Sequence, residues 1–255
     1  AGKRIGRTIA SVLARAGYHT VLHYNTSEKD CASLKGEIEA AGGKASLVQA
    51  DLNDTQSTST LIARACEAAG QPLTALINNA SLFEEDHMGS LTPALWHRHM
   101  TVNTLAPLLL TQAFAAQIGA LAGQGGQTHG SAKGAVVNII DQRVWRLNPH
   151  FMSYTASKAA LWALTQTSAQ ALAPHVRVNA VGPGPVLASI HQSAATFANE
   201  ASAVPLGRGP SPTEISETVL YLLSAHTVTG QMIALDGGQH LAWNTPDVVG
   251  GYAQD

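Results

Sequence analysis

The strongest constraint on the fold of this chain is a regular alternation of short β-branched runs with longer helical segments. The runs that read as strands lie at residues 18–24, 44–52, 73–81, 134–142, 176–185 and 230–238. The segments with helical periodicity lie at residues 5–17, 31–43, 57–70, 94–121, 157–174 and 212–225. This order predicts an α/β fold of the Rossmann type, a doubly wound parallel sheet with helices on both faces, in a single domain over residues 1–255. Ligands of such sheets bind beyond the carboxyl ends of the strands.

Composition argues against several classes of function. The formal net charge is −2 and 13% of the residues are charged, which gives no electrostatic basis for binding nucleic acid or an anionic membrane. No apolar run approaches the roughly 18 residues of a membrane-spanning helix. Cys31 and Cys66 form no CxxC motif, so we expect a reducing compartment, the cytoplasm. The eleven histidines are scattered without acidic or cysteine partners at ligand spacing, and no metal site is predicted.

The chain opens on AGKRIGRTIASVLARAG. A helix beginning near Ile5 would present N–H groups and the positive end of its dipole, which suits a nucleotide phosphate. The alternative is a basic helix N-terminus that binds nothing. In a sheet of the predicted kind, a strand and a glycine-rich turn come before this helix, and we expect the given sequence to begin inside that first loop.

The run at 18–24 ends without the acidic residue that NAD-binding folds place there to hold the adenine ribose hydroxyls. The residues found in its place are His23, Tyr24, Asn25, Thr26 and Ser27. Lys3 and Arg4 lie in the neighbouring loop, where their charges would favour a 2′-phosphate. We therefore predict NADPH rather than NADH as the cofactor.

Tyr154 and Lys158 are four residues apart, so a helix would place both side chains on one face. A tyrosine hydroxyl has an ordinary pKa of about 10, and a neighbouring lysine ammonium would lower that pKa by stabilising the phenolate. Such a tyrosine can give a proton to a substrate that receives hydride from the cofactor, while the lysine holds the nicotinamide ribose. Taken alone, the pair could equally be an ordinary feature of a helix surface.

The Tyr154–Lys158 pair is one part of a series of five motifs that follow one another along the sequence. They are NNAS (78–81), VNTLAP (102–107), YTASK (154–158), VNAVGPGP (178–185) and LDGG (235–238). Their separations resemble those of the short-chain dehydrogenase/reductase family over essentially the whole chain. The resemblance implies an oxidoreductase and a homotetramer that packs through the helices at 94–121 and 157–174.

The same resemblance implies roles for individual residues. Besides the positions already named, the cofactor would be contacted by Ile5, Asp51, Leu52, Asn79, Ala80, Ser81, Tyr154, Lys158, Pro183 and Gly184. Asn103 would support a water-linked proton path to Lys158 and so joins the catalytic residues.

Two departures from the family pattern are informative. Arg4 stands where the TGxxxGxG pattern has a glycine, with Gly6 as its last glycine. Asp141 stands where the family usually has a serine that hydrogen-bonds a substrate carbonyl oxygen. An ionised carboxylate opposes the negative charge that develops on an alkoxide, so it does not suit simple ketone reduction. It suits a substrate with N–H donors or a ring nitrogen that takes up a proton. Alternatively, Asp141 caps the following loop or pairs with Arg143.

These departures resemble one branch, the pteridine and dihydromonapterin reductases. That resemblance implies a catalytic set of Asp141, Tyr154 and Lys158. Ser81 would contact cofactor and pterin, and Phe83 would stack on the pterin, although ordinary loop packing is the alternative for Phe83.

Three further segments are less informative. Residues 186–204 are the expected substrate loop, and residues 243–255 are a loose or partner-contacting tail. Trp145 and Arg146 either line the pocket or cover the helix that follows them.

The sequence as a whole predicts an NADPH-dependent reductase that delivers hydride to a C=N carbon of a dihydropterin. Tyr154, assisted by Asp141 and Lys158, would supply the proton to the ring nitrogen. The first alternative is a reductase of 3-oxoacyl thioesters or another ketone, against which Asp141 argues. The second is a non-catalytic cofactor-binding protein, against which the presence of Asn103, Tyr154 and Lys158 together argues.

Overall fold

The computed structural model describes residues 1–122, 132–188 and 192–243. Within these residues the strands are β1 His19–Tyr24, β2 Lys44–Gln49, β3 Ala75–Asn78, β4 Gly134–Ile139, β5 Val176–Pro183 and β6 Met232–Leu235. The α-helices are α1 Arg4–Arg15, α2 Glu28–Ala40, α3 Thr55–Ala69, α4 Pro93–Met100, α5 Ala106–Ala122, α6 Met152–Leu172, α7 Ala194–Ser202 and α8 Pro212–Ser224. This alternation follows the predicted order of elements.

All strand pairings among these residues are parallel, which confirms the predicted fold class. Strands β3, β4, β5 and β6 form one sheet in that order, and β1 pairs with β2 in a second. Between β1 and β3 lies a cleft of about 660 Å³, whose walls include Val21, Leu22, Leu76 and Ile77.

Helices cover the larger sheet on both faces. Successive side chains of a strand point to opposite faces, so Val136 and Val137 of β4 belong to different cores. Val136 packs with α3, α5 and the end of α6, and Phe114 of α5 is the largest fully buried side chain of that core. Val137 packs with α1 and α8, where Ile215 is fully buried. A strand buried on both faces is typical of a parallel sheet.

Strand register places the candidate residues at one edge. Asn78 of β3 pairs with Asn138 of β4, and Ile139 pairs with Val181 of β5. The residues that follow β3, β4 and β5 therefore meet beyond the same edge of the sheet.

Three predicted elements differ in the structure. The helix predicted at 94–121 is α4 and α5, joined by a π-helical segment at Thr101–Leu105. The helix predicted at 157–174 begins at Met152, so Tyr154 lies in its first turn. The predicted loop at 186–204 contains α7, which begins after Ser193, whose hydroxyl accepts from the Thr196 backbone N–H at 3.1 Å.

Parts of two predicted segments lie outside the described residues. These parts are residues 189–191 of the substrate loop and residues 244–255 of the tail. In the described part of the chain, no helix has both the length and the apolar character needed to cross a membrane.

Candidate active site

A cavity of about 700 Å³ opens beyond the carboxyl ends of β3, β4 and β5. This is where ligands bind in open parallel sheets. The predicted site residues that line it are Lys3, Arg4, Ile5, Asn79, Ala80, Ser81, Phe83, Asp141, Tyr154, Lys158, Pro183 and Gly184. The fold thus gathers three separate strand ends and the start of α1 around one space.

The other predicted residues do not line this cavity. They are His23, Tyr24, Asn25, Thr26, Ser27, Asp51, Leu52 and Asn103. All except Asn103 follow or end β1 and β2, the strands of the second sheet. There the His23 ring is hydrogen-bonded to the Ala50 carbonyl at 3.0 Å, and Asp51 accepts from the Asn53 backbone N–H at 2.9 Å.

Asp141 and Tyr154 meet at the floor of the cavity. Asp141 lies two residues after the end of β4, and the chain returns through residues 142–151 to the start of α6. The Tyr154 hydroxyl donates to Asp141 Oδ2 at 3.0 Å, while Asp141 Oδ1 accepts from the Arg143 backbone N–H at 2.8 Å. The carboxylate therefore caps the short 3₁₀ turn Gln142–Val144 and also holds the tyrosine hydroxyl, so the capping and site interpretations are compatible.

Burial is the largest influence on the pKa values of Asp141 and Tyr154. Burial raises the pKa of Tyr154 well above its ordinary value, and the charge and hydrogen bond of Asp141 raise it further. Burial also raises the pKa of the Asp141 carboxyl, against the opposing charge of Arg143. Burial and the carboxylate thus act against the lowering of the Tyr154 pKa that is expected from Lys158. Tyr154 is consequently a protonated hydroxyl at neutral pH.

Lys158 is anchored beneath Tyr154. Its side chain is 2% exposed, and Nζ donates to the Ile139 carbonyl at the end of β4 at 2.9 Å. Nζ lies 5.8 Å from the centroid of the Tyr154 ring. Burial lowers the pKa of Lys158 to about 8, and the charge of Asp141 opposes that shift.

Asn103 ties the loop after β3 to helix α6. Its Oδ1 accepts from the Leu82 backbone N–H at 2.8 Å and from the Ser81 hydroxyl at 3.2 Å. Its Nδ2 donates to the Leu82 carbonyl at 2.9 Å and to the Ser157 hydroxyl at 3.0 Å. Both donors and both acceptor sites of the amide are thereby used. The predicted water path to Lys158 would have to leave from the backbone of Asn103, not from its side chain.

An aromatic wall closes one side of the cavity. Phe83 stacks on Phe151 with ring centroids 4.3 Å apart and meets Tyr154 edge-on at 4.7 Å. Phe151 has a left-handed backbone at φ 56°, a strained conformation for a residue with a side chain. A flat substrate stacked on Phe83 would have to use the ring face opposite Phe151.

The two cations of the first loop point in different directions. The guanidinium of Arg4 donates to the carbonyls of Ala188 at 2.8 Å and Leu187 at 3.2 Å, so it joins the first loop to the substrate loop. Lys3 pairs with Asp30 at 3.1 Å. Because Asp30 lies in the first turn of α2, which follows Ser27 directly, Lys3 is placed beside the end of β1.

Gly184 permits close packing of two strand ends. A Cβ atom at this position would lie 2.6 Å from the Cα of Asp236, at the end of β6. The glycine is therefore required by the contact with Asp236, a reason that is separate from its predicted contact with the cofactor.

Several residues that line the cavity were not identified from the sequence. They are Glu85, Gln142, Arg143, Phe151, Gln192, Phe197, Glu200 and Gln239. Glu200 of α7 accepts from Gln192 Nε2 at 2.6 Å and from Gln239 Nε2 at 3.4 Å. Gln239 directly follows the LDGG motif, and helical periodicity at 194–202 was the available signal for Phe197 and Glu200.

The structure distinguishes the two alternatives for Trp145 and places Arg146 outside the lining of the cavity. Neither lines the cavity. The Trp145 ring meets Trp162 of α6 edge-on at 6.4 Å and His240 at 5.2 Å, so it covers the helix. Among the described residues, no group of three or more His, Cys, Asp or Glu side chains is placed to hold a metal ion.

Comparison with known proteins relates this geometry to one family. Residues 1–240 match the family model described as Enoyl-(Acyl carrier protein) reductase. The crystal structure of FolM Alternative dihydrofolate reductase 1 from Brucella canis, complexed with NADP, has a TM-score of 0.88 and 44% identity, covering 97% of this chain and 94% of that chain. Dihydromonapterin reductase of Klebsiella pneumoniae is 30% identical over 241 residues, 94% of each protein. The 3-oxoacyl-[acyl-carrier-protein] reductase FabG of Staphylococcus aureus is 27% identical over 246 residues, 94% of this chain and 96% of that protein.

This chain belongs to the short-chain dehydrogenase/reductase family, as its five motifs predicted. Its relatives include the pterin branch that Asp141 and the first loop indicated. The predicted class, an oxidoreductase with a Rossmann-type fold, is confirmed.

Proposed function

We propose that this protein is an NADPH-dependent reductase of a dihydropterin. The observation that carries the proposal is the 3.0 Å hydrogen bond from the Tyr154 hydroxyl to the Asp141 carboxylate at the floor of the cavity. A carboxylate at this position favours a substrate that presents N–H groups over one that develops an oxyanion. The similarity to a dihydromonapterin reductase and to a FolM protein supports the same substrate class.

The first loop and the strand ends fit NADPH. Lys3, Arg4 and Gly6 line the cavity at the N-terminus of α1, where the helix dipole favours phosphate. A Cβ at Gly6 would lie 2.7 Å from Asn79 Nδ2, so the glycine lets α1 approach the end of β3. When bound, NADPH supplies the hydride. The residues proposed to hold it are Lys3, Arg4, Ile5, His23, Tyr24, Asn25, Thr26, Ser27, Asp51, Leu52, Asn79, Ala80, Ser81, Tyr154, Lys158, Pro183 and Gly184.

The chain's own residues supply the proton. Reduction of a C=N bond adds a hydride to carbon and a proton to nitrogen. The raised pKa keeps Tyr154 protonated at neutral pH, although it also makes the hydroxyl a weaker acid. In the proposed reaction the hydroxyl turns its proton from Asp141 to the ring nitrogen, and the phenolate left behind is later reprotonated from solvent. Asp141 accepts N–H groups of the substrate and orients the tyrosine hydroxyl. Lys158, fixed on the Ile139 carbonyl, places a positive charge beneath the ring when protonated.

The proposal is tested by following NADPH oxidation at equal enzyme concentration with a panel of substrates. The panel contains dihydromonapterin, dihydrobiopterin, dihydrofolate and an acetoacetyl thioester. We expect turnover of the two simple pterins and none of the thioester. Turnover of the thioester alone would make the protein a ketone reductase, and saturable NADPH binding without turnover would make it a binding protein.

Within the panel, dihydrofolate tests whether the acidic side chains that line the cavity disfavour a substrate with a negatively charged tail. Glu85 and Glu200 both line it, and carboxylates repel the anionic glutamate tail of folate. We therefore expect a lower kcat/KM for dihydrofolate than for dihydromonapterin. A higher value would show that the tail is held away from these two side chains.

The preference for NADPH is tested by removing the cations of the first loop. Replacing Lys3 and Arg4 together by alanine is expected to raise the NADPH dissociation constant about tenfold, as expected for the loss of a charge-assisted hydrogen bond. The dissociation constant of NADH is expected to change less. Lys3→Ala alone should account for most of the difference, since Lys3 lies beside α2 while Arg4 reaches the substrate loop. Equal effects on NADPH and NADH would contradict a 2′-phosphate site.

Three further expectations stay predictions. They are a homotetramer packed through α4, α5 and α6, a cytoplasmic location, and a single domain over the whole chain.

A further inference from the structure

Three buried polar side chains behind the aromatic wall form one hydrogen-bonded chain. Asp86 is 1% exposed, and His99 and Ser153 are fully buried. The Ser153 hydroxyl donates to Asp86 Oδ2, and His99 Nδ1 lies 2.6 Å from the same hydroxyl. These residues come from three elements: the loop after β3, helix α4 and the first turn of α6.

The direction of every hydrogen bond in this chain follows from its partners. The Glu84 backbone N–H donates to His99 Nε2 at 3.3 Å, so Nε2 is an acceptor and carries no proton. The proton of the neutral imidazole is therefore on Nδ1, which donates to Ser153. The serine proton then points to the Asp86 carboxylate. Burial lowers the pKa of His99, against the charges of Asp86 and Glu84, which agrees with a neutral ring.

This hydrogen-bonded network ends on the backbone of α6, the helix that carries Tyr154. Asp86 Oδ1 accepts from the Ser153 backbone N–H at 3.1 Å, across 67 residues of sequence. The Asp86 carbonyl accepts from the backbone N–H groups of Phe151 at 2.7 Å and Met152 at 3.4 Å. Phe151, at the N-cap position of α6, makes no side-chain capping bond. Asp86 thus takes the place of a local capping residue for the first turn.

The same loop carries the aromatic wall. Phe83 lies three residues before Asp86, and its ring contacts both Phe151 and Tyr154. The His99 ring meets the Tyr154 ring at 6.1 Å between centroids. Any displacement of Asp86 relative to Ser153 would therefore move Phe83 and Tyr154 with respect to each other.

We propose that Asp86, His99 and Ser153 are positioning residues that fix Phe83 and the Tyr154 hydroxyl in one arrangement. They act through the first turn of α6 and through the loop after β3, not by contact with the reacting atoms. The proposal rests on the proposed function for the identity of the substrate, which Phe83 and Tyr154 would hold between them. The fixed arrangement itself is a property of the protein alone.

The test compares two hydroxyl deletions on the same helix. Ser153→Ala removes the central link. The matched control is Thr165→Val, since Thr165 is also fully buried on α6 and accepts from Asn138 Nδ2 at 2.9 Å, eleven residues beyond Tyr154. Steady-state kinetics are measured with whichever panel substrate turns over. Amide hydrogen exchange of residues 151–155 is measured on the protein without substrate.

For Ser153→Ala we expect kcat to fall about tenfold or more and the substrate KM to rise, since small misplacements of a reacting group lower rates strongly. The NADPH dissociation constant should stay within about twofold, because the network lies outside the proposed cofactor site. Exchange at 151–155 should accelerate. Thr165→Val should leave all four quantities near their wild-type values, whatever it does to the melting temperature.

A second variant separates the network from packing. Asp86→Asn keeps the shape of the side chain but replaces the accepting oxygen with an NH2 group. This group donates to the Ser153 hydroxyl, so the hydrogen bond between residues 86 and 153 is reversed. We expect its loss in kcat/KM not to add to that of Ser153→Ala in the double variant, because one network is broken in both. Additive losses would overturn the proposal, as would equal kinetics for Ser153→Ala and Thr165→Val. If no pterin reacts, the proposed function fails, while the exchange measurement still decides whether the first turn is fixed by this network.

Discussion

Tyr154→Phe is expected to lower kcat for dihydropterin reduction by about 10³-fold, within the range that general acid catalysis contributes. Phenylalanine keeps the ring and its edge contact with Phe83, so the aromatic wall is preserved. It removes the hydroxyl that donates to Asp141 at 3.0 Å and, in the proposed reaction, the proton for the ring nitrogen. The NADPH dissociation constant should change little, because the ring is retained.

The measurement is a single-turnover rate at saturating NADPH, since this isolates the chemical step from product release. Phe83→Leu is the matched control, because it removes the stacking ring but leaves the hydroxyl. We expect it to raise the substrate KM more than it lowers the single-turnover rate. A Tyr154→Phe rate within tenfold of wild type would show that solvent or another group delivers the proton, and would remove Tyr154 from the mechanism.

Asp141→Ser is expected to lower kcat/KM for the pterin by about 100-fold, at the lower end of the range for a group that acts in proton transfer. Serine is the residue that the family usually carries at this position, and it can cap the 3₁₀ turn at Gln142–Val144. The fold and NADPH binding should therefore be retained while the carboxylate is lost. Any activity gained on the acetoacetyl thioester would support the view that this position selects nitrogen heterocycles over ketones.

Asp141→Asn is the companion variant, because an amide keeps the shape and the bond from the Arg143 backbone N–H but removes the charge. The charge and hydrogen bond of Asp141 raise the pKa of Tyr154. Their loss should lower that pKa, so the variant should lose activity at a lower pH than wild type as the tyrosine ionises. Wild-type pterin turnover in both variants would show that the carboxylate has no role in the reaction.

Much of the site follows from linear patterns. The separation of Tyr154 and Lys158 is a helical turn, and Asp141 stands two residues after the buried strand β4, so their meeting at one edge of the sheet can be read from local periodicity. Three predicted elements differ from those in the structure. The helix at 94–121 is interrupted by the π-helical segment that carries Asn103, and the Asn103 side chain is bonded to Leu82 and Ser157, which lie outside its own helix. Propensity within a window does not report such contacts.

Other features depend on contacts across the chain. Arg4 had been expected at the cofactor phosphate, but its guanidinium is bound to carbonyls 183 and 184 residues further along. Phe151 gives no sequence signal, yet it supplies half of the aromatic wall. Glu200 lines the cavity from α7, a helix within a segment that the sequence predicts as a loop.

The sequence by itself determined the fold class and the family, and it singled out Asp141, Tyr154 and Lys158 as catalytic candidates, because strand and helix periods and motif spacings depend on residues that are close together in the chain. The tertiary structure alone decided the direction of the pKa shift of Tyr154 and the assembly of Asp86, His99 and Ser153. The first depends on burial, which is set by everything that packs around the ring. The second depends on hydrogen bonds between residues 54 and 67 positions apart, which no local pattern encodes.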